Sequence, residues 1–203
     1  MDTENKGWVG QASLLSLTLV LAASGVVVAQ DDEKRETFEA FAVNMSNFGP
    51  GRSTTVQITI DRWTTDEERN QLIETLVEKG SEELLKVLQK QEETGFVLGR
   101  GTSARANPFP STRLHYAREW EIDGKRIIRL ATDRPIGFRE AVQNPRTMDY
   151  TFTLIELLLN EDGEGEGSLA AGVQITFDKD TNTFELEHYA SEPIRLTSVR
   201  KRK

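Results

Sequence analysis

Apolar and polar residues alternate along most of the chain after residue 36, and this pattern predicts β-strands. Val56, Ile58 and Ile60 alternate with threonine and glutamine, as expected for a strand with one buried face. Asp123 and Gly124 separate two further apolar runs, which is a strong signal for a tight hairpin. The same criteria predict strands at residues 37–45, 95–98, 114–122, 125–132, 150–159, 169–177, 184–189 and 194–196.

Between the second and third of these strands, the apolar residues recur with a helical period. Thr65 and Glu68 form a capping box, which marks the start of a helix. Gly80 is expected to end that helix and Ser81 to begin a second one. Two short amphipathic helices joined by a tight turn form a helical hairpin at about residues 65–91. Its predicted core-facing residues are Leu72, Ile73, Leu76, Val77, Leu84, Leu85 and Leu88.

The fold class follows from this order of elements. Residues 30–203 contain no internal repeat and no linker, so they are predicted to form one domain. We expect an α+β fold that is mainly antiparallel β, as a sandwich or a partly closed barrel of about 7–8 strands, with the helical hairpin inserted. The basic residues 200–203 are expected to form a solvated tail.

The N-terminal segment indicates export. Residues 12–28 are uncharged and rich in leucine and valine, and small residues precede a charged stretch that begins at Gln30. Residues 1–29 are therefore predicted to be a signal peptide, although they could also be an uncleaved membrane anchor. In both cases the folded part is expected outside the cytoplasm, in the periplasm or extracellular space. Membrane contact is expected only through this segment, if it is uncleaved.

Composition excludes several classes of function. The chain has no cysteine, so disulfides, thiol catalysis and zinc sites built on thiolates are ruled out. The formal net charge is −8, which disfavours indiscriminate binding to nucleic acid.

Basic residues are concentrated in one part of the chain. Residues 100–146 hold ten arginines and lysines against five acids, a local net charge of +5. A two-residue turn at Asp123 and Gly124 would place Arg118 opposite Arg129, and like charges in that position cost stability. The arginines could bridge to carboxylates, stack on Tyr116 and Trp120, or hold an anionic ligand. The third case predicts an anion site built from Arg113, Arg118 and Arg129, and carboxylate bridges to Arg118 and Arg129 would count against it.

A second candidate is the acidic, glycine-rich stretch at residues 160–172. Asp162, Glu164 and Glu166 have the spacing of the first three ligands of an EF-hand loop, followed by Gly167 at the expected place. Position 12 of that loop falls on Val173, which cannot supply the closing carboxylate. The stretch therefore predicts either a weak calcium site made by Asp162, Glu164 and Glu166, or a solvated hairpin connection without a ligand.

No catalytic or cofactor motif is present. His115 and His188 are the only histidines, and neither lies in a metalloprotease or serine-hydrolase motif. Residues 99–104 match a relaxed dinucleotide pattern, but Pro108 and Pro110 leave no room for the helix that such a site requires. We therefore expect no cofactor, and an enzyme is less well supported than a binding domain. A histidine that met a serine or two carboxylates in one cleft would favour a hydrolase instead.

The C-terminal third carries a resemblance. The stretches TMDYTFTLIELLLNEDGEGEG (residues 147–167) and ITFDKDTNTFELEHYASEPIRLTSVRK (residues 175–201) resemble uncharacterised exported bacterial proteins with no assigned activity. The resemblance implies a bacterial, exported context. We expect a non-enzymatic binding or structural domain of the cell envelope, whose partner could be a small anionic or amphiphilic ligand. The alternative is a carrier that holds a small apolar or amphiphilic ligand in a barrel-like cavity.

Overall fold

A computed structural model describes residues 35–43, 53–100, 111–134, 152–178, 183–188 and 193–202. The predicted signal peptide at residues 1–29 lies outside these residues. The elements follow the predicted order and confirm the α+β class with a mainly antiparallel sheet. They are β1 (Glu36–Val43), β2 (Ser53–Ile60), α1 (Asp66–Lys79), α2 (Ser81–Leu88), β3 (Gly95–Arg100), β4 (Thr112–Leu114), β5 (Tyr116–Ile122), β6 (Lys125–Thr132), β7 (Phe152–Leu159), β8 (Glu164–Asp178), β9 (Thr183–His188) and β10 (Ile194–Lys201).

The strands form one antiparallel sheet that curls into a nearly closed barrel. Its order is β4-β3-β2-β1-β10-β8-β7-β6-β5, and β9 pairs with β8 beside this path. The two ends of the path, β4 and β5, are joined through the single residue His115. The backbone N–H of His115 donates to Ala131 of β6 at 3.0 Å, and Thr94, just before β3, donates to Leu114 of β4 at 2.8 Å. One bent segment therefore contacts both sides of the seam, which gives the partly closed barrel.

The strand count is higher than expected, in part because the predicted strand at residues 114–122 is interrupted. Leu114 and Ala117 both point into the barrel although three positions separate them, so one extra residue is accommodated at His115 and Tyr116. This irregularity divides the segment into β4 and β5. Among the described residues the sheet has ten strands, more than the predicted number of about 7–8, and this division accounts for one of them.

Apolar side chains from the inner faces of the strands fill the barrel interior. Leu114, Ile128, Leu130, Ile155 and Leu157 are at most 1% exposed, and together with their neighbours they form one continuous core. A side chain with no accessible surface adjoins no space that could hold a water molecule. The middle of the barrel is therefore packed solid around these residues.

The helical hairpin packs against the outer face of the sheet. Leu72, Leu76, Leu84 and Leu88 are buried in a second cluster that includes Phe152 and outward-facing residues of β7 and β8. The predicted capping box is confirmed, since Thr65 Oγ1 accepts from Glu68 N–H and the Glu68 carboxylate accepts from Thr65 N–H. No helix within the described residues is long and apolar enough to cross a membrane.

Two local expectations differ from the structure. The connection between β7 and β8 is confined to residues 160–163, and Glu164 to Gly167 belong to β8 instead of a loop. The basic residues 200–202 are exposed but do not form a free tail, because Arg200 and Lys201 are part of β10 and Arg202 N–H donates to Thr37 O at 2.7 Å. In both cases, backbone pairing with a neighbouring strand extends order into a segment whose composition suggested a loop.

Candidate functional site

The predicted register of the basic hairpin is correct. Arg118 pairs with Arg129, Trp120 with Ile127 and Ile122 with Lys125 across β5 and β6. Trp120 and the two arginines lie on the outer face, because the alternate residues Ala117 and Ile128 are buried in the barrel. The like charges are thus brought together on the outer wall, as the turn at residues 123–124 implied.

Each arginine of the predicted anion site is in contact with a carboxylate. Arg118 Nη2 lies 2.8 Å from Asp66 Oδ1, and Arg118 Nη1 donates to the carbonyl of Thr64 at 3.0 Å. Arg129 Nε lies 2.7 Å from Glu156 Oε2, and its guanidinium group sits 5.3 Å from the centre of the Trp120 ring.

Arg113 has its own partner away from this pair. Its Nη1 lies 3.1 Å from Glu93 Oε2, and both side chains are exposed. The bridges to Arg118 and Arg129 are the arrangement that counts against an anion site, because an anion would have to displace carboxylates. The structure gives that site no support, and it stays a prediction.

The acidic stretch forms a compact turn followed by a strand. Asn160 Oδ1 accepts backbone hydrogen bonds from Asp162 at 3.0 Å and from Glu164 at 2.9 Å, which closes the turn without a ligand. Glu164 and Glu166 are exposed on β8, and Glu164 Oε1 lies 3.7 Å from Arg200 Nε. No group of three metal-ligating side chains occurs among the described residues. Asp162, Glu164 and Glu166 are therefore not brought together, and the calcium site stays a prediction without structural support.

The glycines in this stretch have a packing role that the sequence did not reveal. An added Cβ at Gly165 would lie 1.9 Å from the carbonyl oxygen of Leu158, and one at Gly167 would lie 2.3 Å from that of Glu156. On the inner face, Gly167 stands between Leu157 of β7 and Leu196 of β10, whose side chains are fully buried. The glutamates of this stretch therefore lie on the exposed face of β8, and the glycines lie on the opposite face, where there is no room for side chains.

Of the two histidines, the structure describes the side chain of His115 only. It is 8% exposed, with Nδ1 3.4 Å from the carbonyl of Gln91 and Nε2 3.9 Å from Asp133 Oδ1. Burial by itself would raise the pKa of Asp133, but the hydrogen bond and charge of Arg134 and the nearby His115 lower it. Asp133 is the single carboxylate near His115 in the described part of the chain. This pair alone does not form a catalytic triad.

A group of charged residues that sequence reasoning missed lies at the end of the barrel where β1 begins. This end cluster consists of Glu36, Glu119, Arg126 and Lys201, whose side chains share the inner face with the apolar core. Arg126 Nε donates to Glu119 Oε2 at 2.6 Å, and its Nη2 lies 2.9 Å from Glu36 Oε2. Lys201 Nζ contacts Glu36 Oε1 at 2.7 Å, while Trp63 lies beneath Arg126 with 5.7 Å between guanidinium and ring centre.

The end cluster closes this end of the barrel with paired charges. Glu36 Oε2 is buried and has no well-aligned hydrogen bond, so the charge of Arg126 compensates it through proximity alone. Two carboxylates and two cations balance each other within the cluster. The signal in the sequence was weak: Arg126 and Glu119 continue the inward-facing alternation that contains Ile128 and Ala117, but the third partner, Glu36, comes from a distant strand.

A second ion-pair network holds the helical hairpin to the barrel. Arg62 donates to both carboxylate oxygens of Glu68 at 3.0 and 2.8 Å, and also to the carbonyl of Glu92 at 2.9 Å. The hydrogen bonds from Arg62 lower the pKa of Glu68 below its usual value of 4.5, with the Thr65 N–H assisting and burial opposing. Arg62, in the chain that enters the hairpin, is therefore joined both to Glu68 at the start of α1 and to Glu92 in the chain that leaves it.

This network predicts a loss of stability in acid. Because the folded-state pKa of Glu68 is depressed, its contribution is present above about pH 4.5 and is lost as the pH falls through the folded value. We expect the free energy of unfolding in urea to fall between about pH 6 and about pH 3, and to fall by about 1 kcal/mol less in Glu68→Gln. Glu74→Gln, an exposed position on the same helix, is the matched control. An equal fall in wild type and Glu68→Gln would contradict the assignment.

Outside the region that the helices cover, the outer wall carries an apolar surface. Trp120, Ile127 and Leu158 form one row across β5, β6 and β7, and Ile122 extends it toward the tip of the β5–β6 hairpin. The three residues of the row are half-buried, whereas Ile122 is 55% exposed. None of the four belongs to either buried core cluster. We call these four residues the wall patch.

The fold and these sites define an α+β protein built on a nearly closed antiparallel barrel, with an ionic cluster at one end and an apolar patch on the wall. Comparison of the chain with models of protein families, with curated proteins and with solved structures finds no match.

Proposed function

We propose that the protein is an exported, non-enzymatic domain of the bacterial cell envelope that binds a partner on its outer surface. The observation that supports this most is the filled interior. Ile58, Ile128, Leu130 and Leu157 meet in the middle of the barrel with at most 1% of each side chain exposed. A barrel with a packed interior is suited to presenting its wall, since binding inside it would require the core to be displaced.

The charged groups support the same proposal. The end cluster and the three arginines of the predicted anion site are paired with carboxylates inside the molecule. Such pairs fix the geometry of the scaffold, and a ligand would have to break them to gain a contact. Surface that takes no part in these ion pairs is therefore the most favourable place for a partner to bind.

A carrier of apolar ligands is the competing proposal, because barrels of about eight strands can hold one small ligand in their interior. The two are separated by adding an apolar fluorescent probe such as anilinonaphthalene sulfonate to folded protein, and by native mass spectrometry of protein purified from its host. We expect no probe fluorescence above that of a control protein and no small apolar molecule retained in the mass spectrum. Stoichiometric uptake of the probe would favour the carrier.

The proposal of export has its own test. When the gene is expressed in a Gram-negative host, we expect the protein in the periplasmic fraction, with an N-terminal sequence that begins near Gln30. Recovery of the protein in the cytoplasmic fraction with an intact N-terminus would contradict export. Retention in the membrane fraction with residues 1–29 attached would support the uncleaved anchor.

A further inference from the structure

We propose that the wall patch is the docking surface for a cationic amphipathic polypeptide segment, which would contribute apolar side chains to the patch and basic side chains to its rim. This inference rests on the proposed function, because it assigns a place and a partner class to binding on the outer surface.

The shape of the patch suits a segment of extended chain. The row from Trp120 through Ile127 to Leu158 crosses three adjacent strands and is about 10 Å wide, given a strand spacing of about 4.8 Å. Ile122 projects at the end of β5 and is one of two large apolar side chains exposed by about half in the described residues. An apolar strip of this width can accept alternate side chains of one extended segment, which point to the same side.

The exposed carboxylates around the wall patch, which form its rim, favour a positively charged partner. On the next strand Leu158 is paired with Glu166, and the turn that joins β7 to β8 presents Glu161 and Asp162. Asp123 lies at the tip of the other hairpin. The five exposed carboxylates around the patch are Asp123, Glu161, Asp162, Glu164 and Glu166. Within the described part of the chain, Glu164 is the one member of this set in an ion pair, with Arg200 at 3.7 Å.

These charges decide between the possible partners. Lys125 is the exposed cation beside Ile122, and the adjoining outer row contributes Arg118 and Arg129, whose charges are balanced by Asp66 and Glu156. Apart from these pairs, basic groups of a partner meet five carboxylates against Lys125 and Arg200, the latter beside Glu164. A membrane surface of anionic lipid would be repelled by this rim. A second copy of the chain would bring the same acidic rim, and its net charge of −8 opposes self-association. A basic segment with apolar side chains complements both the rim and the patch.

The test uses the folded chain and a fluorescein-labelled peptide of alternating lysine and valine, followed by fluorescence anisotropy. We expect saturable binding that weakens as sodium chloride is added, because the rim charges are exposed and screened by salt. A peptide of alternating glutamate and valine should not bind. A lysine–serine peptide should bind more weakly, because it cannot bury apolar surface. In a Trp8→Phe, Trp63→Phe double variant, which keeps Trp120 as its one tryptophan, the emission should shift to shorter wavelength on binding.

Matched variants locate the site. We expect Ile122→Ser to weaken binding about fivefold through lost apolar burial, and Glu164→Gln with Glu166→Gln to weaken it about threefold at low salt. Phe41→Ser is the apolar control, since Phe41 is 52% exposed on β1, and Glu74→Gln with Glu78→Gln on α1 is the charge control. No binding, or equal weakening by the controls, would overturn the proposed partner and site. The broader proposal of a non-enzymatic binding domain is judged separately by the probe and export experiments.

Discussion

Gly167→Val is expected to destabilise the protein more than any other single change considered for this fold, by about 3 kcal/mol. A Cβ at this position would lie 2.3 Å from the carbonyl oxygen of Glu156 and 3.0 Å from Leu157 Cδ2. A valine side chain has no free volume here, since Leu157 and Leu196 flank the glycine on the inner face. Strands β7 and β8 would have to separate, with the loss of their hydrogen bonds and of core packing.

The measurement is urea denaturation followed by tryptophan fluorescence, with far-UV circular dichroism as a check on the folded state. Glu166→Val is the matched control, because the neighbouring side chain of the same strand points to solvent. It should change the free energy of unfolding by less than about 0.5 kcal/mol. If Gly167→Val and Glu166→Val were equally stable, the close approach of β7 to β8 at this glycine would be refuted. Gly167→Ala should have an intermediate effect.

Arg126→Met is expected to lower the free energy of unfolding by about 2 kcal/mol. The change removes the cation that lies 2.9 Å from Glu36 Oε2 and that hydrogen-bonds to Glu119. Glu36 would keep Lys201, at 2.7 Å, as its one cation in the end cluster, and Glu119 would keep none. The effect is smaller than that of breaking a fully buried pair, because the Arg126 and Glu119 side chains are 28% and 34% exposed.

A double-mutant cycle separates charge from packing. If the uncompensated carboxylate causes the loss, Glu119→Gln should recover about half of it in the Arg126→Met background. Arg129→Met is the matched control, since Arg129 is also on β6 and also contacts a glutamate and a tryptophan, but on the outer wall. Its expected cost is at most about 1 kcal/mol. If Arg129→Met lowered the free energy of unfolding as much as Arg126→Met, the position of Arg126 on the inner face would not explain its effect on stability.

The features that could be predicted from the sequence depend on neighbouring residues. The capping box of Thr65 and Glu68 lies within one helical turn, and Gly80 ends α1 at the expected place. The turn at Asp123 and Gly124 sets the register of β5 and β6, so the pairing of Arg118 with Arg129 was correct. In each case the interaction that fixes the local structure joins residues a few positions apart, so the local sequence reveals it.

The partners of the arginines could not be predicted in this way. Arg118 contacts the carbonyl of Thr64, which is 54 positions away, and the start of α1 is held against β5 as a result. The residues of the end cluster come from β1, β5, β6 and β10, and only closure of the barrel brings them together. Sequence spacing carries no information about which acid reaches which base across such distances. The expectation of an anion site therefore rested on charge density without knowledge of the compensating carboxylates.

The acidic, glycine-rich stretch at residues 160–172 also combines features that could be predicted from the sequence with features that could not. The sequence by itself indicated a hairpin connection between two strands within residues 160–172, and the turn is indeed closed by local hydrogen bonds to Asn160. Tertiary structure alone decided that Gly165 and Gly167 lie where neighbouring backbones leave no room for a Cβ. It also decided that the alternating glutamates face outward, beside an apolar patch built from other strands. The physical reason is that turn geometry is local, whereas free volume and charge compensation depend on strands distant in the chain.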